Sequence, residues 1–186
     1  MRVAFVSLLI ASMSVLPAWA QTPAPDAAAP GAVPAAPAAP ASPGPCDAAE
    51  FRQFDYWVGD WVVTHISGRE VGRNSIQLEQ KGCVAVERWT SIDGGTGVSM
   101  NFYDTVARAW TQVWISPGIV LTMKGGLVDG AMVLEGPLHY VKDGRATLLR
   151  GTWTPLPDGR VRQHFVESAD QGKIWVDWFD GYYSRL

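Results

Sequence analysis

The sequence predicts an all-β domain: an antiparallel up-and-down β-barrel of about ten strands, entered through a short N-terminal helical turn. Three observations lead there. Turn signals recur along the chain: SGRE at 67–70, KGC at 81–83, DGG at 93–95, DTVAR at 104–108, SPG at 116–118, GG at 125–126, DG at 129–130, KDG at 142–144, PDG at 157–159 and SADQG at 168–172. Between them lie short runs rich in Val, Ile, Thr, Trp and Tyr, such as VAVERWTS, WTQVWI and VRQHFVES, and no window after Gly59 keeps a helical period. An open sheet of so many strands would leave two unpaired edges with no helix to cover them. Closure into a barrel is therefore the simplest architecture, and a two-sheet sandwich is the alternative.

The elements follow in chain order. Residues 1–20, MRVAFVSLLIASMSVLPAWA, combine one positive charge at Arg2, an apolar run, Pro17 and the small-x-small pattern Ala18-Trp19-Ala20, which together read as a signal peptide cleaved after Ala20. The apolar run is short for a membrane span and no cysteine follows the cleavage site, so the expectation is an exported protein, periplasmic or secreted, with no membrane insertion after cleavage. Residues 21–45 are mostly alanine and proline. Prolines remove backbone donors and interrupt any alanine helix, so this segment reads as an extended, disordered tether. Residues 46–186 are the size of one ordinary domain.

Charge narrows the partners. Without Arg2 the chain keeps 14 of its 15 basic residues against 18 acidic ones, a net charge of −4, and the charges are scattered. That pattern argues against nucleic acid or an anionic membrane surface. The cysteines, Cys46 and Cys83, either pair as a disulfide in an oxidising compartment or remain as a buried Cys83 and a free Cys46 at the domain edge.

The stretch FDYWVGDW at 54–61 sets the entry to the barrel. Residues 50–58 form the helical turn whose aromatics cap one mouth, Gly59 permits the sharp turn into the first strand, and Trp61 fills the narrow end. At the other end of the domain, Ser168-x-Asp170-x-Gly172-x-x-Trp175 fits a hairpin motif that recurs blade after blade in propellers. Here it occurs once and reads as a local turn with Trp175 packed beneath it.

Gly59-Asp60-Trp61 followed by a β meander resembles the G-x-W signature of lipocalins and the wider calycin superfamily. The resemblance implies that Arg185, near the end of the last strand, packs across Trp61. Over nearly the whole domain, FDYWVGDW, GCVAVERWTS, NFYD with the following VW segment, DGAMVLEG, WTPLPDGRVRQHF and SADQGKIW with FDGYY are similar to a family of exported bacterial proteins with a lipocalin-like barrel. That likeness implies fold and location and supplies no chemistry.

The candidate site is read from strand parity. Glu87 shares a face with Trp89, Gln112 with Trp114, and Gln163 with Phe165 and Glu167, while Asn101 stands on its own strand. Inward polar groups interleaved with aromatics suit a ligand cavity better than a packed core. His65, His139 and His164 are dispersed, so no metal site is expected, and if Gln163 faces inward His164 faces solvent. No G-x-S-x-G elbow and no cofactor motif is present. The leading expectation is a binding protein for a small, partly apolar molecule. An enzyme using Glu87 or Glu167 as acid or base, and a structural envelope module with a filled interior, are the alternatives.

Intact-mass analysis of the exported protein should give a chain beginning at Gln21, and mild proteolysis should trim it to a core from about Cys46. An uncleaved N-terminus would overturn the export reading.

Overall fold

The computed structural model describes residues 44–186; the leader at 1–20 and all but the last two residues of the tether at 21–45 lie outside the described residues. The strands are β1 (Gly59–His65), β2 (Glu70–Glu79), β3 (Val84–Ser91), β4 (Thr96–Asp104), β5 (Ala109–Ser116), β6 (Ile119–Val128), β7 (Ala131–Tyr140), β8 (Ala146–Pro155), β9 (Val161–Ser168) and β10 (Val176–Arg185). Each pairs antiparallel with the next, and β10 returns to pair with β1, so all ten close one up-and-down barrel. Closure leaves no sheet edge exposed.

Two details differ from the sequence reading. The entry is two short 3-10 turns, Ala49–Arg52 and Asp55–Trp57, rather than one turn over 50–58. Gly125-Gly126 is no turn: both residues lie within β6. A Cβ on Gly125 would stand 2.0 Å from the Val133 carbonyl oxygen, so glycine there serves close approach of β6 to β7, not chain reversal.

One mouth of the barrel is closed by the aromatics of the entry segment. Phe54 stacks on Trp57 with ring centroids 4.8 Å apart and meets Trp153 edge-on at 5.3 Å and Trp110 at 5.6 Å. Such pairs add about 0.5–1.5 kcal/mol each beyond the area they bury. Polar handles fix the plug's orientation. The Tyr56 hydroxyl donates to the Trp153 carbonyl at 2.8 Å and accepts from the Met132 N–H at 3.0 Å, while the Trp61 indole N–H donates to the Trp57 carbonyl at 3.0 Å.

Two clasps hold this mouth. A disulfide joins Cys46, just before the plug, to Cys83 beside the β2–β3 turn, with Cα atoms 5.1 Å apart and a sequence separation of 37. In the chain-entropy account a loop of that length stabilises the fold by about 4 kcal/mol. The Arg185 guanidinium lies 4.2 Å from the Trp61 ring centroid and donates to the Val58 carbonyl at 2.7 Å. Gly59 is required beneath it: its φ is +137°, and a Cβ there would fall 2.1 Å from the guanidinium.

At the far mouth, the β9–β10 turn is built by the Asp170 motif. Asp170 Oδ1 accepts from the Ser168 hydroxyl at 2.7 Å and from the Lys173 and Ile174 N–H groups at 3.1 and 2.9 Å, and the Trp175 indole donates to the Gly172 carbonyl at 3.0 Å. It is the single hairpin turn expected of one isolated motif.

Arg185→Ala removes both the cation–π contact and the bond to Val58. It should lower stability by about 1–2 kcal/mol in chemical denaturation while the barrel still folds.

Candidate functional site

Inward side chains divide the barrel into three levels. Below lies the aromatic plug with Trp61, Trp110 and Trp153. Across the middle runs a girdle of buried polar groups: Asn74, Glu87, Ser99, Asn101, Gln112, Gln163 and Tyr183. Above it a cavity of about 170 Å³ opens toward the mouth opposite the plug, lined by Glu87, Gln112, Gln163 and Tyr183 at its floor and by aromatic and aliphatic side chains around its wall.

Strand register brings the girdle together. Glu87 stands opposite Ile76 and Ser99, Asn101 opposite Ala85 and Gln112, and Gln163 opposite Gly181. Its hydrogen bonds converge on Glu87 and branch from Asn74 through Tyr183 to Gln163. Gln112 donates its amide to Asn101 Oδ1 at 2.7 Å, Asn101 donates to Ser99 Oγ at 2.8 Å, and Ser99 donates to Glu87 Oε2 at 2.6 Å. From the other side Asn74 donates to Glu87 Oε1 at 2.7 Å and to the Tyr183 hydroxyl at 3.2 Å, and Tyr183 donates to Gln163 Oε1.

Glu87 is only 3% exposed, and neither its network nor the cavity lining contains a basic side chain. Burial therefore pushes its carboxyl up to about 7, although the bonds from Ser99 and Asn74 pull the other way. Burial and the nearby Glu87 charge hold the Tyr183 phenol well above its ordinary value, so it stays protonated.

The wall is shaped by glycines. A Cβ on Gly97 would meet the Trp114 ring at 2.0 Å, and one on Gly151 would meet the Phe165 ring at 2.3 Å. Gly72 seats Trp89 and Gly181 seats Phe179 in the same way. Trp89, Trp114 and Phe165 each fold back over a bare stretch of neighbouring strand and Phe179 over the glycine two residues on in its own strand, which leaves the barrel's centre open instead of filling it. Trp178 completes the rim. It is the extra residue of a β-bulge in β10, between Asp177 and Phe179, and the bulge turns it onto Phe165, with centroids 6.0 Å apart and the indole 40% exposed at the mouth.

Of the eight residues expected to meet a ligand, Glu87, Trp89, Gln112, Trp114, Gln163 and Phe165 line the cavity. The other two do not. Asn101 lies beneath the floor, fully buried, bonded to the Ala85 carbonyl as well as to Ser99 and Gln112, so its part is to hold the girdle. Glu167 sits at the rim, where it accepts from the Tyr140 hydroxyl at 2.9 Å and pairs with Arg145 at 3.4 Å. Being the last inward position before the hairpin, it has left the enclosed part of the barrel. His164 points outward and meets Asp177 at 2.9 Å. Among the described residues no group of three or more His, Cys, Asp or Glu is placed to hold a metal ion.

No protein-family model and no curated protein matches this chain. The chemistry of the site rests on its own geometry: a desolvated carboxyl and three neutral hydrogen-bonding groups beneath an aromatic chamber.

The perturbed carboxyl makes stability depend on pH. In the fold Glu87 binds its proton more tightly than in the unfolded chain, so its contribution is full below the ordinary glutamate range near 4.5 and is lost as pH rises through about 7. Glu87→Gln should therefore unfold at a higher temperature than the parent at pH 8, by an amount equivalent to a few kcal/mol, and at nearly the same temperature at pH 5. Thermal unfolding followed at both values checks this, and a difference independent of pH would contradict it.

Proposed function

We propose that the domain is a binding protein for a small, single-ring, largely apolar molecule with one polar end, held in the upper half of the barrel. The observation that carries this is the partition of the interior: a packed aromatic plug below, an aromatic-walled chamber above, and a buried polar floor between them facing the open side. The space suits one ring. A dry apolar cavity of about 150 Å³ accepts benzene, and drug-sized ligands call for about 300–1,000 Å³. The cavity lining offers no basic partner for a fatty-acid carboxylate.

The outer face supports a barrel that stands in water. Arg150 and Glu135 pair across adjacent strands at 2.7 Å, and Arg162 and Asp180 at 2.8 Å, at positions where a lipid-facing barrel carries apolar side chains. With the cleavable leader and tether read from the sequence, we place the domain outside the cytoplasm, as a lipocalin-like carrier or receptor.

A second reading has one observation in its favour. A cavity-facing carboxyl pushed up to about 7 is suited to general acid or base work near neutral pH, so Glu87 is the residue through which an enzyme would act. Glu167, held at the rim by Arg145 and Tyr140, is not placed for that role.

Toluene is a direct probe, because Trp89, Trp114 and Trp178 all line the chamber. Titration should shift tryptophan emission saturably and raise the unfolding temperature, whereas palmitate should do neither. Ile119→Trp, which fills the chamber near its mouth, should abolish the toluene response with the fold intact. A palmitate response stronger than that of toluene would refute the single-ring reading.

A further inference from the structure

Resting on the reading of the chamber as a binding site, we propose that the polar end of the ligand is a cation: the barrel takes a small primary amine carried on a single aromatic ring, with the ammonium on Glu87 and the ring between Trp89, Trp114 and Phe165. Three features of the floor point to a ligand that donates hydrogen bonds and bears positive charge.

The first is charge. Glu87 is the sole carboxyl among the residues lining the chamber, and no Lys, Arg or His lines it. The groups facing Glu87 from β2, β4 and β10 are Asn74, Ser99 and Tyr183, all neutral. Arg145, beside Glu167 at the rim, is already paired with it and lies 3.8 Å over the Tyr140 ring. The anionic form of Glu87 thus lacks a counter-ion from the protein, and a ligand ammonium would supply one.

The second is the direction of the girdle. Its donors run from Gln112 through Asn101 and Ser99 to one carboxylate oxygen, and from Asn74 to the other. Each oxygen accepts one of these bonds and retains a further lone pair. Glu87 therefore presents open acceptor positions on the floor, matched to the N–H donors of an ammonium. A carboxylate ligand would face the Glu87 charge instead.

The third is depth. Glu87 lies at the floor and the aromatic rings rise from it, so one ring bearing an amine on a short arm fills both parts at once. Trp89, Trp114 and Phe165 in the walls supply the apolar surface for the ring.

Calorimetric titration of the mature chain with benzylamine, benzyl alcohol, benzoate and toluene tests this. At pH 8 benzylamine should bind at least tenfold more tightly than benzyl alcohol, and benzoate most weakly. Between pH 8 and pH 6 the benzylamine affinity should fall about tenfold, because the ammonium must displace a proton held with an affinity near pH 7, while toluene affinity stays constant. Glu87→Gln should keep toluene binding and lose the advantage of the amine. If that variant does not fold, the pH series on the parent decides alone. Benzyl alcohol or benzoate binding as tightly as benzylamine, or a benzylamine affinity that changes less than twofold over that pH range, would overturn the amine while leaving the chamber a binding site. Failure of all four compounds to bind would overturn both.

Discussion

A ten-stranded barrel is wider than its own inward side chains fill at every level, and the aromatic stack of Phe54, Trp57 and Trp153 is the chain's answer to that constraint. The stack comes largely from outside the sheet. Two short 3-10 turns before β1 carry Phe54, Tyr56 and Trp57 into one mouth, and the hydroxyl of Tyr56 bridges β7 and β8 there. With that end packed, the disulfide and Arg185 keep the plug seated. The other end is then free to remain hollow without loss of a core.

The polar girdle follows from the same division. Seven polar side chains at mid-barrel would be costly in a packed interior, but here all seven are tied to one another across β2, β3, β4, β5, β9 and β10. They cap the plug from above and give the chamber a floor that hydrogen bonds have set in advance of any ligand. The glycines above them do the opposite of what large residues would do. By seating rings flat against the wall, Gly97 and Gly151 preserve the space the girdle faces.

Much of this is legible in the sequence, and the gaps have definite physical causes. Alternation within a strand places Glu87 beside Trp89 and Gln112 beside Trp114, because neighbours two apart share a face whatever the register. Turn residues give the strand count, except at Gly125-Gly126, where glycine marks a close approach between strands. Asn74, Ser99 and Tyr183 stand out only once register sets them against Glu87. Their signal in sequence is faint: Asn74 and Ser99 are polar residues alternating with inward Gly72 and Gly97. Trp178 is hidden for a different reason, since the bulge in β10 breaks the alternation that would have turned it outward for good. Asn101 and Glu167 show the limit of parity. It gives the face of a strand but not the height along the barrel, and height separates the girdle, the chamber and the rim.

As proposed above, the half of the barrel above the girdle admits one ring. Crystals soaked in bromobenzene and measured at the bromine absorption edge test it most directly. One dominant bromine peak should appear inside the barrel, ringed by Trp89, Trp114 and Phe165. No peak within the barrel, or bromine found only on the exposed outer face of Val98, Met100 and Ile115, would contradict it.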